Sequence, residues 1–157
     1  SMFSGASSFN QPLTGWDLSS VTSMDSMFSG ASSFNQPLTG WDLSSVTSLG
    51  SMFSGASSFN QPLTGWDFSS ITSMNSMFQG TSVFNQSSVV GWNVSGVKDF
   101  GSMFQGATFF DQNMCSWFDQ IDVDSVDITV DDMFQQTSCD VQVDPDDSMN
   151  YFCAFCE

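Results

Sequence analysis

Residues 2–26 read MFSGASSFNQPLTGWDLSSVTSMDS, and residues 27–51 repeat them with two changes, Leu49 and Gly50. A third copy begins at Met52 and differs from the second at Phe68, Ile71, Met74 and Asn75. A fourth begins at Met77, is one residue longer, and reads NQSSVVGW where the others read NQPLTGW. A looser fifth begins at Met103, with Phe110-Asp111-Gln112 in place of Phe-Asn-Gln, and a degraded sixth starts at Met133-Phe134. The starts are spaced by 25, 25, 25, 26 and 30 residues. Periods of this size are typical of architectures in which each copy is one coil stacked on the next.

Substitutions between copies separate inside from outside. Leu18, Leu43, Phe68 and Val94 stay apolar, as do Val21, Val46, Ile71 and Val97. Asp25, Gly50, Asn75 and Gly101 vary freely. The first two columns read as core and the last as solvent. Within a copy the bulky residues, such as Phe9, Leu13, Trp16, Leu18, Val21 and Met24, keep no 3.6-residue period over ten or more positions. That spacing predicts short strands joined by turns. Met-Phe-x-Gly-Ala suits a single helical or 3₁₀ turn, ended by Gly5, Gly30, Gly55, Gly80 and Gly106. The expected fold is therefore a repeat solenoid, mainly β with short helical or 3₁₀ turns. Like residues would form ladders about 4.8 Å apart: Phe9, Phe34, Phe59, Phe84 and Phe110 in one, and Trp16, Trp41, Trp66, Trp92 and Trp117 in another. A polar ladder of Asn10, Asn35, Asn60 and Asn85 would satisfy backbone groups at a turn that strands cannot reach.

The chain has 157 residues, one Lys or Arg, 17 Asp or Glu, no His, and a net charge of −16. Such a charge argues against nucleic acid or an anionic membrane as partner, because both need basic residues against phosphate. Without His the usual general base and metal-binding imidazole are missing. No catalytic residue, resident metal or cofactor is implied. Yet 40% of residues are hydrophobic and 15% aromatic, too many for a disordered acidic tail. No signal peptide or membrane span is visible, so no membrane insertion is expected. The first copy starts in register with no preceding cap, which suggests a piece of a longer array or a terminus that pairs with something.

The repeat MFxGAxxFNQPLxxWDxSxVTxM resembles that of the BspA-like leucine-rich-repeat surface proteins. The match covers roughly residues 1–118. It is carried by Met27-Phe28-Ser29-Gly30-Ala31, Phe34-Asn35-Gln36, Trp41-Asp42 and Val46-Thr47. Departures are Ser87 in place of Pro, and the loss of the pattern beyond Trp117. The resemblance implies a leucine-rich-repeat-like right-handed coil, displayed on a cell surface or secreted, in the manner of adhesins and recognition modules.

Two segments follow: residues 1–118 as a five-coil array, and residues 119–157 as an acidic, cysteine-containing cap. Thirteen of the 17 acidic groups lie after residue 93. The stretch 119–132 mixes Asp with Ile121, Val123, Val126, Ile128 and Val130, as one or two half-buried strands would. A solubilising cap is the plain reading. Calcium bound by Asp122, Asp124, Asp127, Asp131 or Asp132 is the sharper one, although no Asp-x-Asp-x-Asp-Gly loop is present. Cys115, Cys139, Cys153 and Cys156 suggest two disulfides stapling this cap in an extracellular setting. A Cys115–Cys139 bridge beside Cys153–Cys156 is favoured, with crossed pairings open. A redox or zinc role for Cys-x-x-Cys lacks a supporting His. Asn85 and Asn93 head formal glycosylation sequons; Asn93 is the better candidate, because Asn85 belongs to the polar ladder.

The leading functional expectation is a non-enzymatic recognition or adhesion module that meets a protein or glycan ligand. Its binding face would carry Gln11, Gln36, Gln61 and Gln86 with Thr14, Thr39 and Thr64. The alternative is ice or crystal-surface binding through Thr22, Thr47 and Thr72 and their flanking serines. A structural spacer is a third reading. Asp17, Asp42 and Asp67 read as exposed turn residues rather than as cation ligands or catalytic groups.

Overall fold

The computed structural model describes residues 1–121, 125 and 127–139. The expectation of a mainly β, leucine-rich-repeat-like solenoid is overturned: the described residues form no sheet, and most of them are turns and coil. Pairing of the β kind is limited to four isolated parallel bridges, Ser23–Ser48, Ser48–Ser73, Ser73–Asp99 and Asp99–Thr129. The helices described are a 3₁₀ turn over Ser87–Gly91 and the one-turn α1, Cys115–Phe118. No strand forms over the described part of 119–132 either.

The reason lies in the backbone around Met-Phe-x-Gly-Ala. Ser26, Ser51, Ser76 and Ser102 all sit at φ near +54°, and Gly30, Gly55, Gly80 and Gly106 near +70°. Two left-handed residues four positions apart leave no room for an extended run. Donors in this segment alternate instead. The N–H groups of Met24, Ser26, Phe28 and Gly30 donate to the carbonyls of Ser48, Gly50, Met52 and Ser54 in the next copy. The N–H groups between them, of Met27, Ser29 and Ala31, donate back to Met24, Ser26 and Phe28 within the copy. Buried backbone donors are thereby met without a strand. The glycine is required by φ rather than by contact, since a Cβ on Gly30 would meet Gly5 Cα at 3.6 Å, an ordinary van der Waals distance.

The alternating bonds hold like side chains in register. Phe28 and Phe53 stack with centroids 5.6 Å apart, Phe34 and Phe59 at 5.9 Å, and Phe28 stacks on Phe34 within its own copy at 4.0 Å. Near-parallel stacking continues past residue 118, since Phe104 lies 5.8 Å from Phe134. From Phe28 to Phe134 these rings are fully buried and form the centre of the core. Fully burying such a side chain is worth about 1.5–3 kcal/mol, with a further increment from each aromatic pair. At the first copy the column opens to solvent: Phe3, Phe9 and Trp16 are only partly buried.

Asparagine closes the opposite turn. Asn10 Oδ1 accepts the backbone N–H of Asn35 at 2.9 Å and the side-chain amide of Gln36 at 3.0 Å. The same pair of bonds recurs from Asn60 and Gln61 onto Asn35, and from Asn85 and Gln86 onto Asn60. The supposedly solvent column is also structural. Gly50 is buried, its N–H donates to Asp25 Oδ1 at 2.8 Å, and a Cβ there would come within 2.5 Å of Asn75 Oδ1. Large and small residues alternate in this column because a side chain on every rung would collide.

Cys115 and Cys139 are both disulfide-bonded, but no bridge joins the two among the described residues, so the favoured Cys115–Cys139 pairing is not found. Cys153 and Cys156 lie outside the described residues, as do Asp122, Val123, Asp124 and Val126.

Replacing Asn35 with Ala removes the acceptor for Asn60 N–H and Gln61 Nε2 together, and is expected to cost about 1–3 kcal/mol. Urea unfolding measures the change. A loss under about 0.5 kcal/mol, the range of an inert surface change, contradicts the clamp.

Candidate functional site

The residues singled out from sequence fall into groups with different fates. The glutamine column is not a free binding face. Gln36, Gln61 and Gln86 are half-buried, and each spends its amide on the asparagine of the preceding copy. Gln11 is exposed. Thr14, Thr39 and Thr64 are all exposed, one in each of the first three copies, on the turn that precedes the Trp-Asp pair. Thr22, Thr47 and Thr72 form a second exposed column. There the Thr47 and Thr72 hydroxyls donate to the carbonyls of Thr22 and Thr47, both at 3.2 Å. At Thr47 and Thr72 the hydroxyls therefore keep acceptor lone pairs rather than free donors.

The carboxylates are turn residues. Asp17, Asp42 and Asp67 accept the backbone N–H of Ser19, Ser44 and Ser69 at 2.9–3.0 Å. Such turns two residues ahead are typical of Asp. The Ser19 hydroxyl, and then its N–H, hold Asp17 below the ordinary aspartate range. For Asp42 and Asp67 the backbone N–H of Ser44 and Ser69 is the larger cause and the hydroxyl the smaller. Asp42 feels an opposing push from Asp17 and Asp67 on either side. All three are fully ionised near neutrality and poorly placed to exchange protons there.

At the end of the described chain Asp127, Asp131 and Asp132 are exposed. Among the described residues no group of three or more acidic, Cys or His side chains is gathered closely enough to hold a metal ion. Asn93 is exposed, and its Oδ1 accepts from the Ser95 hydroxyl at 2.8 Å. Asn85 Oδ1 is taken by Asp111 N–H and Gln112 Nε2.

One place was missed by the sequence reading. In three copies the tryptophan indole N–H donates to a carbonyl of the preceding copy: Trp41 to Leu13, Trp66 to Leu38, and Trp117 to Val89. Trp92 breaks the series. It is 6% exposed, and its Nε1 has no hydrogen-bond partner. Ser88 Oγ, on the 3₁₀ turn beside it, is also buried and unmet. Leaving such a donor unpaired costs about 1–3 kcal/mol. Two departures from the repeat meet here. The extra residue of the fourth copy is taken up by Ser87–Gly91, and Phe68, which replaces Leu43, stacks on Trp92 at 4.1 Å. Both residues line a cleft of about 370 Å³, with Trp66, Asp67, Phe68 and Asn93 also in its wall. The signal was visible as the 26-residue period and the Leu-to-Phe change. Neither shows by itself that a donor is left over.

A family model described as a Mycoplasma protein of unknown function, DUF285, matches residues 1–89 and again residues 35–144. The chain belongs to this family. No curated protein and no solved structure matches it. Among the described residues, no helix is long and apolar enough to cross a membrane.

The depressed carboxyls set a direction for pH. A folded-state value below the unfolded one adds stability above the ordinary carboxylate range, and that stability is lost as pH falls through the folded value. In a carboxyl-detected titration Asp17, Asp42 and Asp67 are expected to have midpoints below about 3.9, the unperturbed aspartate value. Midpoints at or above it contradict the turn assignment.

Proposed function

We propose that the chain is a non-enzymatic recognition or adhesion module, working outside the cell or on its surface, that presents a repeated polar face to a protein or glycan ligand. The observation that carries this is the exposed column Thr14, Thr39 and Thr64. It repeats one small hydroxyl in each of the first three copies over a packed aromatic core. Evenly repeated weak contacts add through effective concentration, so a polar face of this kind gains from a ligand that itself repeats. The glutamines drop out of the face because their amides are used internally.

Other features support the reading without depending on that column. The chain has no His, and its turn carboxylates are held ionised, which leaves little for general acid–base chemistry. The charge of −16 disfavours nucleic acid and anionic lipid as partners. The family described as DUF285 has no stated function, so the surface location rests on the resemblance of the repeat to BspA-like surface proteins. Lattice binding through Thr22, Thr47 and Thr72 is the weaker reading, because the Thr47 and Thr72 hydroxyl donors are already committed to carbonyls.

Attachment of the purified chain to host-type cells and to a glycan array tests the proposal. The triple variant Thr14→Ala, Thr39→Ala, Thr64→Ala is expected to lose most of the attachment. Its thermal midpoint should barely move, since exposed substitutions cost no more than about 0.5 kcal/mol each. Attachment unchanged in the triple variant contradicts the face, and no attachment of the parent chain to any cell or glycan contradicts the module.

A further inference from the structure

We infer that Asn93 is an acceptor for an N-linked glycan, in preference to Asn85, which heads a triplet of the same form. The inference goes beyond the recognition reading and rests only on its extracellular setting, in which a secretory route supplies the glycan donor. The two triplets are Asn85-Gln86-Ser87 and Asn93-Val94-Ser95. A glycan of this kind is bulky and belongs on the surface, so the surroundings of each amide decide between them. Asn85, though exposed, is woven into the stack. Its backbone N–H donates to Asn60 Oδ1 at 3.0 Å, and its own Oδ1 accepts from Asp111 N–H at 3.1 Å and Gln112 Nε2 at 2.6 Å. Gln86 beside it turns its amide onto Asn60. Turning the Asn85 side chain outward to carry a sugar would break the clamp between the fourth and fifth copies.

Asn93 has no such tie to a neighbouring copy. It is exposed, and its Oδ1 accepts only from Ser95, the N–H at 3.3 Å and the hydroxyl at 2.8 Å. These bonds close a local turn. Asp17, Asp42 and Asp67 close the equivalent turn in the first three copies by accepting from Ser19, Ser44 and Ser69. One oxygen is all the turn requires, so Nδ2 of Asn93 takes no part in it. Where the first three copies place a second carboxylate oxygen, the fourth places an amide nitrogen. The change leaves the turn intact and adds an atom that can be glycosylated. In the transfer, Nδ2 bonds to the anomeric carbon of an oligosaccharide carried on a lipid pyrophosphate. The bond from that carbon to the pyrophosphate oxygen breaks, the lipid pyrophosphate leaves with the electron pair, and the proton lost from Nδ2 passes to solvent. Oδ1 keeps its lone pairs, so the bonds from Ser95 survive in the product.

Secretion of the full chain from eukaryotic cells behind a supplied signal peptide tests the inference. Enzymatic release of glycans in 18O-labelled water converts each glycosylated Asn to labelled Asp, which mass spectrometry of peptides then places. Most of the secreted chain is expected to carry one glycan, with the label at Asn93 and little at Asn85. Asn93→Asp restores the residue of the first three copies, so it is expected to lose the glycan and keep the unfolding midpoint of the deglycosylated parent. Ser95→Ala is expected to lose the glycan as well, and Ser87→Ala to keep it. A secreted chain with no glycan overturns the inference. So does a label at Asn85 equal to or above that at Asn93, or a glycan that persists in Asn93→Asp at the level of the parent. Cell attachment by a chain that carries no glycan removes this site alone. A glycan at Asn93 on a chain that attaches to nothing removes the adhesion reading alone.

Discussion

Every copy depends on carbonyls that belong to its neighbour. In the segment from Met24 to Gly30 alternate N–H groups point away from their own turn, and the only acceptors they find are 24 residues further on. No copy can satisfy its own backbone, so a single one has no reason to hold its shape. Once two copies pair, the spacing of the bonds brings Phe28 over Phe53 and Phe34 over Phe59. The aromatic column is thus both the result of the backbone register and the burial that stabilises it. Cooperation of this kind between adjacent units is the general property of repeat proteins, whose units are marginal alone.

The repeat, its period and its apolar columns were legible because copies within one chain report on one another. Leu43 and Val46 are buried as their columns imply. The local conformation was not legible. Irregular apolar spacing excludes a long helix, but it does not distinguish short strands from stacked turns. Serine at positive φ, as at Ser26 and Ser51, leaves no compositional mark. Free variation was also misleading at Asp25, Gly50 and Asn75. Those residues differ because they interlock, Asp25 reaching over the glycine of the next copy. Variation in a stacked column can mean complementarity rather than exposure.

The same distinction sorts the surface. Glutamine and threonine look alike as small polar ladders in the sequence, yet the Gln36 amide is bound to Asn10 while Thr39 stays exposed. Which ladder is free depends on whether a neighbour offers an unmet acceptor, and only coordinates show that. The irregular fourth copy follows from the same dependence. Where one residue is inserted and Phe68 stacks on Trp92, the indole has no protein partner. In a chain built of near-identical copies, chemistry that differs from the average is found where the copying fails.

The central claim is that each copy is hydrogen-bonded through alternate donors to the next. Scalar couplings transmitted across hydrogen bonds report this directly, because they link the donor nitrogen to the acceptor carbonyl carbon. The account predicts cross-peaks joining Phe28 N to Met52 C′ and Gly30 N to Ser54 C′, with their equivalents at Phe53 and Gly55 onto Met77 and Gln79. Couplings confined to the turns within each copy, with none spanning 24 residues, would contradict it.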